Sequence, residues 1–447
     1  MPMLSQLQDS YRSSSTVSLP AEIMVMILVH AIAEEKAAAK AEGRSPHSWM
    51  KYLHICGTWR DLLHTVSTIW DDIEATNSEV AEYMLTRGRA RNPAVTADFH
   101  EHCDVDVGGT GDKVLRVLKK ESSHIRSLKL VMPGEMWQCL GQCAVPWTFE
   151  RLDFLRIEAP MMEGSPTHLP FLAPDLKHLR SEGFVPAAVQ QALSPSLRTL
   201  AIHCFDFTQM ADIMAVLQAV PRVEKLAMMF CLEEDMDDGG IAQMARLPSL
   251  TNLDFFIFST KHIELLASLH YPDSTFQAFH LVPYDWSTSE LIEGLSRTAN
   301  EVIGKHDLCH CTFRTLKPKG LLISFSRLPQ VAIAQWPQFS MTLLHYQVEE
   351  EAGIMDKLAE YFGPSFAAIE NLSFEELAVR STASLDSWKV LFRAMPRVIK
   401  WEVLKEAEAN SRATEVLNQM LFDEVRSMVS NRLAGYDSEK DPEEFDE

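Results

Sequence analysis

PSLRTLAI, residues 195–202, is the stretch whose reading decides the fold. Pro195 stops whatever helix precedes it. Leu197, Leu200 and Ile202 then fill the first, fourth and sixth positions of a short run, the last two on one face of an extended strand. The frame recurs outward on both sides: Ile125, Leu128, Leu130; Leu152, Leu155, Ile157; Val223, Leu226, Met228; Leu250, Leu253, Phe255. Leu176 with Leu179, and Phe276, Phe279, Leu281, are weaker copies. From Leu128, successive fourth positions step by 27, 24, 21, 26, 27 and 26 residues. That period suits stacked strand-plus-return units, which repeat every ~20 to 45 residues.

Prolines at 174, 195, 221, 248 and 396 each stand two before a first position. Amphipathic stretches between copies, ADIMAVLQAV, HIELLASL, SELIEGLSRTA and MDKLAEYF, read as return helices. The later frame is sparser: Phe313 with Leu316, then Ile369, Leu372, Phe374, and Val398, Trp401, Val403, with 37 residues between Phe279 and Leu316. The expected class is α/β, a curved solenoid of strand-helix units over 121–410. An ordinary α/β domain with a parallel sheet is the alternative. A doubly wound nucleotide-binding sheet would carry a glycine-rich first turn, and none follows a strand at the required spacing.

The N-terminal text is helical. In LPAEIMVMILVHAIAEE, from Leu19, Pro20 fits a first helical turn and Glu22 lies at its positive end. Ile23, Met26, Ile27 and His30 make one face, which must be covered. The Ala/Lys-rich stretch 36–48 reads as a helix extension and a loop broken by Gly43 and Pro46. SWMKYLHICGTWRDLL reads as one largely buried helix, and HTVSTIWDDI as a closing segment with Trp70 in the core.

These residues resemble the F-box: Leu19, Pro20, Glu22 and Ile23 match its opening helix, Cys56, Trp59 and Arg60 its Cys-x-x-Trp-Arg core, Ile69 and Trp70 the pair that follows. The text after it, EVAEYMLTRGRARNPAVTADFH, is similar to that in many basidiomycete-type fungal F-box proteins, which continue into degenerate leucine-rich repeats. The resemblance implies a small all-α F-box domain followed by a leucine-rich-repeat-like solenoid. It also implies binding to a Skp-type adaptor, and through it a cullin, by Leu19, Pro20, Ile23 and Ile27, with Cys56, Trp59 and Trp70 supporting or extending that surface. The chain would then be the substrate-recognition subunit of a ubiquitin ligase, holding a target protein on the repeats and supplying no catalysis. Two departures stand out: the Ala/Lys insertion, and the lack of the Asn or Cys that closes each repeat turn, where only Cys231 fits. The expected layout is a disordered 1–16, the F-box at 17–75, a linking segment at 76–120, repeats at 121–410, a capping helix at 411–435 and an acidic disordered tail at 436–447. Alternation along the strands puts Lys129, His178, Thr199, Ala201, Lys225, Asn252 and Asp254 on the target-facing side.

Composition narrows the function classes. The 447 residues are 46% hydrophobic, enough for a large core. A net charge of -21, part of it in EEDMDD (233–238) and the tail, argues against nucleic acid as partner. No secretory signal or membrane span is legible, and the eight scattered cysteines read as reduced thiols of a cytoplasmic or nuclear protein. HEHCD (100–104) and HDLCHC (306–311) hold donors for zinc but no paired Cys-x-x-Cys. Cys139 and Cys143 are read as core residues. DVDVGGTGDK, around Gly108, lacks the Lys-Ser/Thr of a phosphate loop and the closing acid of a calcium loop. No catalytic constellation stands out, so no cofactor, metal or catalytic residue is expected. The rival readings are a repeat scaffold outside any ligase and an α/β enzyme with a dispersed active site.

Overall fold

The computed structural model describes residues 19–99, 109–142, 145–159, 168–233, 244–282, 288–316, 320–327, 339–344, 351–375 and 390–404. The expected N-terminal tail, capping helix and acidic tail lie outside them, as do HEHCD and the first half of DVDVGGTGDK, whose second half enters a helix from Thr110. The chain is mixed α/β, with a large, mostly parallel sheet, and divides into two compact units: 1–132 with 147–153, and 133–146 with 154–447.

The first unit opens with α1 (Ala21–Ala41), which Pro20 starts and which ends just before Gly43 in the left-handed region at φ 64°. The stretch expected as one helix is two: a 3₁₀ turn, Ser48–His54, and α2 (Gly57–Thr65), parted by extended Cys56. Another 3₁₀ turn, Ser67–Trp70, follows. Next come β1 (Asp72–Glu74), α3 (Ser78–Gly88), β2 (Ala94–Asp98), α4 (Thr110–Lys120) and β3 (Ser127–Val131). β1, β2 and β3 pair in parallel. The described parts of the stretch 76–120 carry two helices and a strand. Its signals were there: Asn77 Oδ1 accepts from the amides of Glu79 and Val80 at 2.9 and 3.3 Å, capping α3.

The second unit carries α5 (Gly134–Gly141), β4 (Phe154–Glu158), β5 (His178–Glu182), β6 (Thr199–Thr208), α6 (Met210–Ala219), β7 (Lys225–Leu232), β8 (Asn252–Ile257), α7 (Thr260–Ser268) and β9 (Phe276–Leu281). It continues through α8 (Thr288–Lys305), β10 (His310–Leu316), β11 (Gly320–Ser326), β12 (Phe339–Leu344), α9 (Glu351–Tyr361), β13 (Asn371–Glu375) and β14 (Lys400–Leu404). β4 to β9 lie side by side in chain order; then the order becomes β9, β12, β11, β10, β13, β14. β11 runs antiparallel to both its neighbours, and the other pairings in this unit are parallel.

The apolar frame is the register of this sheet. Leu155, Leu179, Leu200, Leu226 and Leu253 are successive cross-strand partners, each at most 1% exposed. The recurring prolines occupy the second place of four-residue turns that the first apolar amide closes: Leu197 N–H donates to Ser194 at 3.0 Å, Val223 to Val220 and Leu250 to Leu247 at 3.1 Å. They set the approach to each strand as well as ending the preceding segment.

Two copies of the frame are misplaced. Leu253 pairs with Gln277, and Phe255 with Phe279, so the Phe276 copy slips by two residues. Gln277 is buried and its Oε1 accepts from the Tyr271 hydroxyl at 3.3 Å, which lets a polar residue stand in the leucine row. In β10, Cys311 and Phe313 pair with Leu372 and Phe374, so Cys311, not Leu316, holds the fourth position. The 37-residue gap is where the β10–β11 hairpin displaces a strand from chain order. Cys231, expected to close a turn, lies within β7 opposite Phe207, because β6 and β7 run on together past their neighbours. Cys139 is exposed: α5 turns Trp137 and Leu140 inward instead, and Cys143 lies outside the described residues.

Candidate docking surfaces

In the first unit, the inner side of α1 buries Leu28, Ile32 and Ala39. Beneath it stand Trp49 and Trp70, with ring centres 5.7 Å apart in an edge-to-face contact, and Trp70 meets Tyr83 at 5.9 Å. Trp70 Nε1 donates to the Leu63 carbonyl at 3.2 Å, so the indole is buried without an orphaned donor. His64 shares a 2.8 Å hydrogen bond with the Tyr83 hydroxyl, and burial lowers its pKa. The extension of α1 is tied down at Glu35, which accepts from Lys51 Nζ at 2.6 Å and Arg44 Nη1 at 2.7 Å; those cations hold its carboxyl down at about 2.

The other side of α1 is apolar and bare. Leu19 is 48% exposed, Ile23 38%, Met26 59% and Ile27 49%, with His30 beyond them on the same stripe. An exposed helix ordinarily keeps one apolar stripe and turns it inward. α1 has two, of which the chain's described residues cover one.

The expected adaptor residues thus divide into two groups. Leu19, Pro20, Ile23 and Ile27 are on the surface. Cys56 is exposed, and its Sγ accepts the Trp59 amide at 3.5 Å to cap α2; Trp59 is half-buried. Trp70 is inside at 1% exposure, where it supports the helices and touches nothing external. Ile55, 53% exposed, was not read from the sequence, since the break that turns it outward was missed.

In the second unit, β4 to β8 bury one row of side chains and leave the alternate row half-buried or exposed, while in β9 Ala278 of the alternate row is buried as well. The residues expected on that side in this unit, His178, Thr199, Ala201, Lys225, Asn252 and Asp254, are half-buried or exposed; so is Lys129 on β3 in the first unit. The row contains an ionic cluster, with Arg180 Nε on Glu182 at 2.6 Å and Arg156 between Glu158 and Glu182. His280 stacks on Phe256 at 4.5 Å and its Nε2 lies 2.9 Å from Asp254 Oδ1. Burial, then the nearby Arg180, lowers the pKa of His203. Where β6 runs beyond β5, Phe205 and Phe207 stand 51% and 68% exposed. Neither was foreseen, because a β-bulge between His203 and Phe207 breaks the alternation.

Among the described residues, no three His, Cys, Asp or Glu side chains gather closely enough to hold a metal, and no helix is long and apolar enough to cross a membrane. In HDLCHC, His310 and Cys311 are buried, and His310 Nε2 shares a 3.1 Å hydrogen bond with Ser373. No known family model matches the chain, and no curated protein matches its sequence.

Proposed function

We propose that the chain is the substrate-recognition subunit of a Skp/cullin/F-box ubiquitin ligase in the cytoplasm or nucleus. On this reading 17–75 is an F-box, and the parallel sheet with its return helices is a leucine-rich-repeat-like receptor. The single observation that carries the reading is the bare stripe Leu19, Ile23, Met26 and Ile27 on α1. Leu19, Ile23 and Ile27 are positions at which the F-box resemblance asks for an adaptor contact, Met26 adds to the same face, and an apolar helix face of this kind is what a partner's groove would bury. Each large side chain so buried contributes about 1.5 to 3 kcal/mol. The partly exposed alternate row of β4 to β8 would hold a target protein. Ubiquitin transfer would then gain from effective concentration, with no catalytic group, cofactor or metal supplied by this chain.

The test is co-expression with a Skp-type adaptor and pull-down of the intact chain. The adaptor should be retained by the natural chain. The combined change Leu19→Ala, Ile23→Ala, Ile27→Ala should weaken retention by about 1,000-fold, taking the lower end of what such burial is worth. A folded natural chain that retains no adaptor would remove the ligase reading and leave a repeat scaffold that binds its partners without one.

A further inference from the structure

At the end of the sheet where β6, β7 and β8 begin, three successive turns give Ser196, Arg222 and Ser249 the same place, third of the four residues that the amides of Leu197, Val223 and Leu250 close. The strands entered from these turns set Thr199, Lys225 and Asn252 side by side on the alternate row. Arg222 and Lys225 are exposed, and among the described residues neither has an ion-pair partner. The carboxylates nearby are mostly engaged. Glu224, between the two in sequence, bonds Arg198; Asp254 faces His280 at 2.9 Å; Asp273, in the turn before β9, holds Lys305 at 2.5 Å. Asp175, in the turn before β5, bounds the patch on its other side. Within these limits the surface offers two unpaired cations among neutral donors. Asn252 Oδ1 accepts from the Thr251 hydroxyl at 2.9 Å, which leaves its amide hydrogens for another partner, and the Thr199 hydroxyl shares a 3.0 Å hydrogen bond with His178.

We propose that this patch docks an acidic segment of a protein target, with Asp or Glu carboxylates held by Arg222 and Lys225; the inference rests on reading the sheet as the target receptor. Hydrogen bonds from guanidinium or ammonium to carboxylate are stronger than neutral ones, and the hydroxyl and amide donors beside them suit the same anion. The chain as a whole, at net charge -21, repels acidic segments. Salt screens charges beyond about 8 Å at physiological ionic strength, so the nearest cations decide where such a segment settles. A carboxylate fits better than a phosphate dianion, which the same net charge repels about twice as strongly.

Labelled dodecapeptides with a Leu-Glu-Leu-Glu-Leu centre, the same with Gln for Glu, and the same with phosphoserine for Glu are titrated with the full chain and read by fluorescence anisotropy. The Glu peptide should bind about tenfold tighter than the Gln peptide. The double change Arg222→Gln, Lys225→Gln should remove that preference while leaving the circular dichroism spectrum and the adaptor pull-down unchanged. Equal binding of the Glu and Gln peptides by the natural chain would overturn the site, as would an undiminished preference in the double variant. Tighter binding of the phosphoserine peptide would overturn the choice of carboxylate. A chain ended after Tyr436 should bind the Glu peptide as the full chain does; a tenfold gain would assign the patch to the chain's own acidic tail instead. Failure here with the adaptor retained sinks this inference alone. Peptide binding without adaptor retention keeps the site and sinks the ligase reading.

Discussion

At the scale of single residues, His262 is the most exacting polar placement in the second unit. It is fully buried, takes part in hydrogen bonds with Ser259 Oγ at 3.0 Å and the Phe230 carbonyl at 2.9 Å, and stacks on Phe230. Burial holds its pKa at about 4. The unfolded chain would take up the proton near pH 6.5, so the neutral ring's contribution is complete above that pH and is lost as the pH falls from there toward 4. The loss amounts to about 3 kcal/mol. A denaturant-unfolding series between pH 7 and 4 should show this slope, and His262→Phe should flatten it. Gly183 is demanding in another way. Its φ is 84°, and a Cβ there would run into the Ala159 carbonyl oxygen. Gly183→Ala should cost about 2 kcal/mol or more and lower the melting temperature by several degrees; an unchanged melt would mean that the turn can relax.

At the scale of elements, α1 makes a prediction from its two sides. Leu28→Ala, on the inner side, should cost about 2 to 5 kcal/mol of stability. Ile27→Ala, on the outer side, should stay within about 0.5 kcal/mol of the natural chain. Urea melts of the two variants separate a face built for packing from one that packing ignores. The strands were legible for a related reason. A buried row repeated in register leaves an apolar residue at every crossing, so Leu155 to Leu253 could be read by counting. Gln277 could not, since one hydrogen bond from Tyr271 makes a polar residue acceptable where counting demands leucine. The break at Cys56 was also hidden: a thiol capping a helix leaves no mark like that of Ser, Asp or Asn. The outward stripe of α1 was visible as periodicity, but its exposure was not, because periodicity says which residues share a face and not whether anything covers it. The bulge that bares Phe205 and Phe207 carries no glycine or proline to announce it.

At the scale of the whole chain, the strand order sets what can be removed. Strands β5 to β8 each pair with the strands before and after them in sequence, and β9 pairs with β8, so a chain ended after Val282 loses neighbours on one side of β9 only. One ended after Arg327 keeps β10 and β11 but lacks β12, the strand that joins them to β9. The shorter chain should therefore melt cooperatively and stay monomeric, while the longer should aggregate; size-exclusion chromatography of the two decides it. The antiparallel strand β11 carries a consequence for the order of assembly. A chain emerging from the ribosome can dock β4 to β9 in the order they are made. β10 emerges next, yet its place is three positions farther along, and β11 and β12 must fill the space between. The hairpin has to wait, holding its own two strands together until β12 arrives. The last third of the sheet closes as a single late event, and in that interval the growing edge of β9 is the surface most in need of a chaperone.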